Sequence, residues 1–262
     1  MPRFAANLSM MYPEHALLDR IEAAARDGFA AVEVQAPYEV PAAEFRRALE
    51  AARVPLVLLN APRGNEADEE RGLAALPGRE AQFEASIALA LDYARTLRCP
   101  RVHVLAGRPE PDAADADCLR TYLRNIAYAC GAMRPHGIAV TIEPINTRDV
   151  PRYFLRTQRQ AAEVIAALRE DNLGLQMDFY HLQITEGDLT RNFERHLPLI
   201  THVQIAGVPD RTEPDLGEVD FRHLFALIDR LGYGGWIGCE YRPARGAVDG
   251  GTSDGLGWLR AV

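Results

Sequence analysis

Four short apolar runs in the second half of the sequence carry an acidic or amide side chain at or near their ends. The polar residues are Glu143 in VTIEPIN, Asp178 in LQMDFYH, Gln204 in HVQIA and Glu240 in IGCEY. Three carboxylates gathered at one site must be neutralised, or some of them must stay protonated. A hard divalent cation would neutralise them, and oxygen ligands favour Mg2+ first and Mn2+ second. The set therefore predicts a divalent-metal site if the fold brings the four residues together.

Three further polar residues lie near these runs. They are His103 in RVHVLAG, His181 just after the second run, and Arg211 shortly after the third. An arginine fork beside a bound cation suits a substrate carboxylate or hydroxyl group. The alternative for Arg211 is a salt bridge at the rim with Glu213 or Glu218. Taken singly, each polar residue also has a structural interpretation, as a strand-end ion pair, a hydrogen-bonded core amide or a packed histidine. The functional interpretation rests on the set.

The elements that must position these residues alternate along the whole chain between short apolar strands and longer helical patterns. Eight such units in about 250 residues fit a closed parallel barrel better than an open doubly wound sheet. We predict one (β/α)8 TIM barrel domain over residues 1–262, with the active site at the C-terminal ends of the strands. The predicted strands are Phe4–Leu8, Ala31–Val34, Leu56–Asn60, Arg101–Leu105, Ala139–Glu143, Gly174–Asp178, His202–Ile205 and Trp236–Glu240. The predicted helices are Leu17–Arg26, Ala42–Ala52, Glu80–Leu97, Cys118–Met133, Gln158–Arg169 and Phe221–Leu231.

The longest irregular segment runs from Asn60 to Gly78 and is rich in Gly, Glu, Arg and Pro. It follows the third strand, where a barrel places its substrate-facing loops. We interpret it as a lid or rim of the site.

Composition excludes several classes of chemistry. All 29 cationic side chains are Arg and none is Lys, so a lysine Schiff base is ruled out. Neither GxxxxGK[ST] nor a strand-associated GxGxxG occurs, so we expect no nucleotide cofactor. The net charge is −8 and no basic run appears, so nucleic acid is not an expected partner.

The four cysteines are scattered without CxxC spacing, so we expect reduced thiols rather than a zinc knuckle or a disulfide framework. Every hydrophobic run is interrupted well before about 18 residues, and Met1 to Asn7 does not resemble a signal peptide. We therefore expect a cytoplasmic protein with no membrane partner. The sequence leaves the oligomeric state open, and a homo-oligomer is compatible with it.

At these residues the sequence resembles the hydroxypyruvate isomerase family, within the xylose-isomerase-like barrels that also include ketose 3-epimerases. The resemblance covers essentially the whole chain. The matching segments are PRFAANLSM, ERGLAALPGRE, RVHVLAG, TIEPIN, LQMDFYH, THVQIAGVPDRTEPDLGEVDF, GYGGWIGCEYRP and DGLGWL.

The resemblance implies that Glu143, Asp178, Gln204 and Glu240 bind the metal, and that Glu143 and Glu240 are the acid/base pair. It also implies that His181 and Arg211 hold a small keto acid substrate, and His103 is similar to a pocket residue of the wider superfamily. The expected reaction converts hydroxypyruvate into tartronate semialdehyde through an enediolate. The 3-epimerases usually have His at the position of Gln204, so the amide favours the isomerase branch.

Three alternatives use the same barrel. A 2-oxo-tetronate isomerase or a ketose 3-epimerase would use the same machinery, and the segments VEVQAPYE and NAPRGNEADEE depart from the family pattern, which leaves the substrate open. A sugar-acid dehydratase would need an acid at the leaving group, a role that a strand-end His could fill. A phosphodiesterase similar to endonuclease IV would need three zinc ions and more His ligands than the seven histidines of this chain can supply.

Overall fold

Short aliphatic runs form eight parallel strands that close into a barrel in the computed structural model, which describes residues 2–65 and 70–261. Each strand pairs with the next along the chain, and β1 closes the ring against β8 from Arg3 opposite Trp236 to Ala6 opposite Cys239. The predicted (β/α)8 barrel is confirmed. The strands are β1 (Arg3–Asn7), β2 (Ala31–Val34), β3 (Leu56–Asn60), β4 (Arg101–His103), β5 (Ala139–Ile142), β6 (Leu173–Asp178), β7 (Ile200–Ile205) and β8 (Trp236–Cys239).

The strand ends differ slightly from the predicted ones, and two of the differences matter for the site. Strand β5 ends at Ile142 and β8 ends at Cys239, so Glu143 and Glu240 each lie one residue beyond the last strand residue. Both glutamates therefore lie at the mouth of the barrel, directly after their strands. Strand β4 is also shorter than predicted and stops at His103.

Helices follow the strands and surround the barrel. All six predicted helices are present, with ends shifted by at most a few residues. Three further helices were missed, because eight residues or fewer give little periodicity, and one of them is mostly polar. The helices are α1 (Asp19–Arg26), α2 (Ala42–Ala52), α3 (Glu80–Leu97), α4 (Asp115–Met133), α5 (Gln158–Leu168), α6 (Phe179–Thr185), α7 (Leu189–His196), α8 (Phe221–Arg230) and α9 (Gly251–Asp254), and the missed ones are α6, α7 and α9.

The core has two parts. The larger part joins strand residues to helix residues and therefore lies between the barrel and its helices. A separate small cluster consists of Ala5, Ala31 and Val57 and lies inside the barrel. Side chains two residues apart on a strand share a face, so Asn7 and Glu33 also point into the interior, one layer nearer the mouth. The interior thus changes from apolar to polar toward the C-terminal ends of the strands.

Two of the chemical expectations can be compared with this fold. All four cysteines are buried and free, as expected from their scattered spacing. Within residues 2–65 and 70–261, no helix combines the length and the apolar character that a membrane crossing requires.

Three helices end on an exposed arginine in the left-handed backbone conformation. Arg53 follows α2 with φ 59°, Arg98 follows α3 with φ 54°, and Arg169 follows α5 with φ 53°. This position is usually occupied by Gly, because a Cβ atom is unfavourable in that conformation. The backbone at these three positions is therefore strained by the Cβ atom of the arginine itself.

Replacing Arg53, Arg98 and Arg169 with Gly should raise the free energy of unfolding by about 0.5 kcal/mol or more per site, because glycine removes the left-handed penalty. Urea denaturation followed by tryptophan fluorescence measures the change. The control is Arg47→Gly in the interior of α2, which should lower stability by about 1 kcal/mol. A triple variant no more stable than the parent protein would contradict the interpretation.

Candidate active site

The ends of three strands bring the three predicted carboxylates to one place. Glu143 follows β5, Asp178 is the last residue of β6, and Glu240 follows β8. Asp178 is also the N-cap of α6, and its Oδ1 accepts a hydrogen bond of 2.8 Å from the Tyr180 backbone N–H. All three side chains are buried. The prediction that these acids converge is consistent with their positions.

A cavity of about 480 Å3 opens above this cluster. Its wall includes five of the seven residues predicted for the site, namely Glu143, Glu240, His103, His181 and Arg211. The other two predicted residues, Asp178 and Gln204, are not among the described residues that line the cavity. The predicted lid contributes Asn60 to Gly64 and Arg71, while residues 66–69 of that segment lie outside the described residues.

Arg211 lies at the centre of the cluster. Its Nη2 is 3.1 Å from Glu240 Oε2 and 3.5 Å from Asp178 Oδ2. Burial opposes the charge of this guanidinium, but Glu240, Asp178 and Glu143 together raise its pKa. The alternative of a rim salt bridge is not realised. Glu213 instead accepts hydrogen bonds from the Ala244 backbone N–H, and Glu218 accepts one from the Gln183 side chain.

One arginine does not neutralise three buried carboxylates. Burial, followed by repulsion from Glu240 and Asp178, raises the pKa of Glu143 well above its usual range. Burial raises the pKa of Glu240 to about 7 and that of Asp178 to about 6, although Arg211 opposes both shifts. These directions indicate that the site has a deficit of positive charge, which favours a bound cation.

The donor groups at this point fit a divalent cation. Ligand atoms of Glu143, Asp178 and His181 lie within 4.8 Å of one another. Glu143 Oε1 is buried and has no hydrogen-bond partner among the described residues. A buried carboxylate oxygen without a partner is unfavourable, and coordination of a cation would satisfy it.

The hydrogen bonds of His181 favour a role different from that of the neighbouring carboxylates. Asn146 Oδ1 accepts a hydrogen bond of 2.8 Å from the Asp149 backbone N–H, so the Asn146 amide group turns its Nδ2 toward His181 Nδ1 at 2.7 Å. This hydrogen bond assigns the imidazole proton to Nε2. Burial lowers the pKa of His181 well below its usual range, with Arg211 contributing, so the ring is neutral. The Nε2–H group lies 3.6 Å from Asp178 Oδ2 and suits donation to a substrate oxygen better than coordination of a cation.

His103 lies beside Glu143, with 3.6 Å between its Nε2 and Glu143 Oε2. Burial, with a smaller contribution from His202, lowers the pKa of His103 to about 3. The ring is therefore neutral at ordinary pH. Neither ring nitrogen has a hydrogen-bond partner among residues 2–65 and 70–261, so His103 can still bind a ligand that enters the cavity.

Gln204 lies in a hydrogen-bonded layer that crosses the barrel interior beneath the acids. Its Nε2 donates to Glu33 Oε1 at 2.7 Å, and its Oε1 accepts from Gln176 Nε2 at 2.7 Å. Its amide oxygen keeps a second lone pair, so the predicted role as a metal ligand stays a prediction. We define this polar layer by its members, which are Asn7, Glu33, Thr141, Gln176, His202 and Gln204.

Glu33 organises the polar layer. Its carboxylate accepts hydrogen bonds from Asn7 Nδ2 at 2.9 Å, His202 Nε2 at 2.7 Å and Gln204 Nε2 at 2.7 Å. Residue 238 on β8 must be Gly, because a Cβ atom there would lie 2.2 Å from Glu33 Oε2. Glu33 on β2 thus links β1 to β7 across the β1–β8 pair that closes the barrel.

Two residues at the site were not predicted. Gln35, just after β2, donates a short hydrogen bond from its Nε2 to Glu240 Oε1. Asn146, just after Glu143, orients His181. Gln35 is the polar residue at the end of the apolar run in VEVQAPYE, so the rule that predicted the other site residues would also have identified it. Asn146 acts through a second side chain, which the sequence does not reveal.

Several known proteins are similar to this chain over most of its length. A family model described as a xylose isomerase-like TIM barrel matches residues 21–262. A 2-oxo-tetronate isomerase from Cupriavidus necator is 54% identical over 99% of this chain and 98% of its own length. A hydroxypyruvate isomerase from Escherichia coli is 38% identical over 99% of this chain and 98% of its own length. A crystal structure described as an AP endonuclease, family 2, from Brucella melitensis superimposes with a TM-score of 0.95 at 42% identity, covering 100% of this chain and 99% of that one.

The variant Glu33→Ala should lower the free energy of unfolding by about 3–5 kcal/mol, because three buried donors lose their common acceptor. Chemical denaturation of the purified protein measures the loss. Glu33→Gln keeps part of the network and should lose less. The control is Glu22→Ala on the exposed face of α1, which should change stability by at most about 0.5 kcal/mol. Equal stability of Glu33→Ala and the control would show that the polar layer is not a structural element.

Proposed function

Because this chain belongs to the xylose isomerase-like TIM barrel family, we propose that it is an isomerase of small 2-keto-3-hydroxy acids, with Glu143 and Glu240 transferring the proton. The observation that carries the proposal is the pair of buried glutamates on one cavity, both with raised pKa. Its full-length relatives named above as keto acid isomerases support the substrate class.

In this reaction one glutamate removes the proton at C3, a glutamate returns a proton to C2, and the hydroxyl proton on the C3 oxygen moves to the C2 oxygen. The carbonyl group thereby moves from C2 to C3 through an enediolate. Both glutamates line the cavity, so each carboxylate can reach a substrate bound there.

His181 and Arg211 position the substrate in this proposal. The neutral His181 presents its Nε2–H toward the cluster, and Arg211 presents its guanidinium between Asp178 and Glu240. Glu143, Asp178, Gln204 and Glu240 would hold the divalent cation, Mg2+ or Mn2+. A cation held there supplies Lewis-acid polarisation of the keto and hydroxyl oxygens.

Two keto acids are the substrates to compare first. Hydroxypyruvate is the substrate expected from the sequence, with tartronate semialdehyde as the product. A 2-oxo-tetronate has one more carbon, and of the two isomerases compared above the 2-oxo-tetronate enzyme shares more identity, 54% against 38%. The cavity of about 480 Å3 has room for either.

Other reaction classes receive less support from the site. A dehydratase needs a protonated acid at the leaving group, and His103, with a pKa of about 3, is neutral at working pH. A phosphodiesterase built on a zinc cluster would need several His ligands. Among the described residues, the group of potential ligands contains a single histidine, His181. A ketose 3-epimerase would use the same glutamates and is distinguished by its substrate.

Glu143→Gln and Glu240→Gln should each fold and lose at least about 100-fold in turnover, because each removes a positioned acid or base. Proton NMR in D2O measures turnover with hydroxypyruvate, a 2-oxo-tetronate and a free ketose in the presence of Mg2+ or Mn2+. Deuterium entering the carbon next to the carbonyl reports the enediolate. The control is Glu84→Gln on the exposed face of α3. Near-normal exchange in either glutamine variant would overturn the assignment.

Asp178→Asn should weaken Mn2+ binding by at least about 10-fold, because one anionic ligand is lost while the N-cap hydrogen bond is retained. Electron paramagnetic resonance of Mn2+ titrated into the metal-free protein measures the affinity. His181→Gln should leave that affinity within about 3-fold, since His181 acts as a donor to the substrate. The reverse order of effects would assign His181 to the cation and remove Asp178 from it.

A further inference from the structure

The cationic side chains of the cavity differ in how far they are already neutralised. Arg211 is held between Asp178 and Glu240 and is buried. Arg63 also lines the cavity and makes an interaction within the chain. Arg71 is on the same wall, is exposed, and has no hydrogen-bond or ion-pair partner in the described ranges 2–65 and 70–261.

The backbone around Arg71 is fixed, whereas its side chain forms no hydrogen bond or ion pair with another described residue. Gly72 forms a β-bridge with Ala106, just beyond β4, and its N–H donates to the Arg63 carbonyl at 2.8 Å. A Cβ atom at Gly72 would lie 2.4 Å from the Leu105 carbonyl oxygen, so the backbone at residue 72 lies against the backbone at Leu105. The Ala75 N–H also donates to the Ala106 carbonyl at 2.7 Å. Arg71 is thus anchored to the end of the strand that carries His103.

The conformation of Arg71 is unfavourable for a residue with a side chain. Its φ is 55°, in the left-handed region. Arg53, Arg98 and Arg169 adopt the same conformation where a helix ends, but no helix ends at Arg71. A strained backbone that places an unpaired charged group on a cavity wall is typical of a functional position.

We propose that Arg71 binds the carboxylate of the substrate and so determines that this isomerase acts on keto acids rather than neutral ketoses, an inference that rests on the proposed function. A keto acid carries a permanent negative charge, and the cavity is lined by the carboxylates of Glu143 and Glu240. The substrate carboxylate therefore needs a cation that these acids do not already neutralise. Arg71 meets this condition, and its planar fork matches a carboxylate.

Arg71→Gln should raise KM for the accepted keto acid by about 10- to 100-fold and leave kcat within about 3-fold, because a charge-assisted contact is lost away from the reacting carbons. Dihydroxyacetone has the skeleton of hydroxypyruvate with a hydroxymethyl group in place of the carboxylate. The preference for hydroxypyruvate over dihydroxyacetone in deuterium exchange should fall by at least about 10-fold. Arg71→Lys should recover part of that preference.

The matched control is Arg169→Gln, which removes the same charge from an exposed left-handed arginine at the opposite end of the barrel. Calorimetric binding of glycerate, compared with glycerol, gives a readout that does not depend on turnover. Arg71→Gln should weaken glycerate binding by at least about 10-fold, and the control should not.

The possible outcomes separate the two claims. If the parent protein exchanges keto acids but Arg71→Gln has an unchanged KM and unchanged glycerate affinity, the role of Arg71 is refuted while the proposed function stands. If the parent protein exchanges no keto acid yet binds glycerate through Arg71, the proposed function fails and the carboxylate site is supported. If the parent protein neither exchanges keto acids nor binds glycerate, both claims fail.

Discussion

The burial of three carboxylic acids at one end of the barrel is the constraint on which the rest of the site depends. Glu143, Asp178 and Glu240 repel one another and lose their hydration, and both effects favour the protonated forms. Arg211 offsets part of this cost from the centre of the cluster. The remaining deficit of positive charge makes the cluster receptive to a metal ion.

The layer below the acids is polar, whereas the far end of the barrel interior is filled by small apolar side chains. Glu33 holds Gln204 and His202 in place, and Gln176 holds Gln204 from the other side. Such a buried, hydrogen-bonded layer fixes rotamers at the base of the site. A second chain of contacts, from Asp149 through Asn146, fixes the tautomer of His181. The side-chain positions at the mouth of the barrel therefore depend on residues that do not line the cavity.

The sequence predicts the barrel and the acidic cluster for a physical reason. Parallel strands converge at their C-terminal ends, so a polar residue at the end of each apolar run must lie near the others, as Glu143 and Glu240 do. The same reasoning does not reach Asn146, whose effect passes through another side chain, or the central position of Arg211, which depends on the path of the loop after β7. Helix α7 was missed because Leu189–His196 is short and mostly polar.

The distribution of nucleophilic side chains has a chemical consequence for an enzyme that releases a carbonyl compound. Free aldehydes condense with lysine amines and add to accessible thiols. This chain has no lysine, and its four thiols are buried, with burial raising the pKa of Cys99 and Cys130 to about 12. The side chains therefore offer an aldehyde, the product of the proposed reaction, neither a lysine amine nor an accessible thiolate to react with.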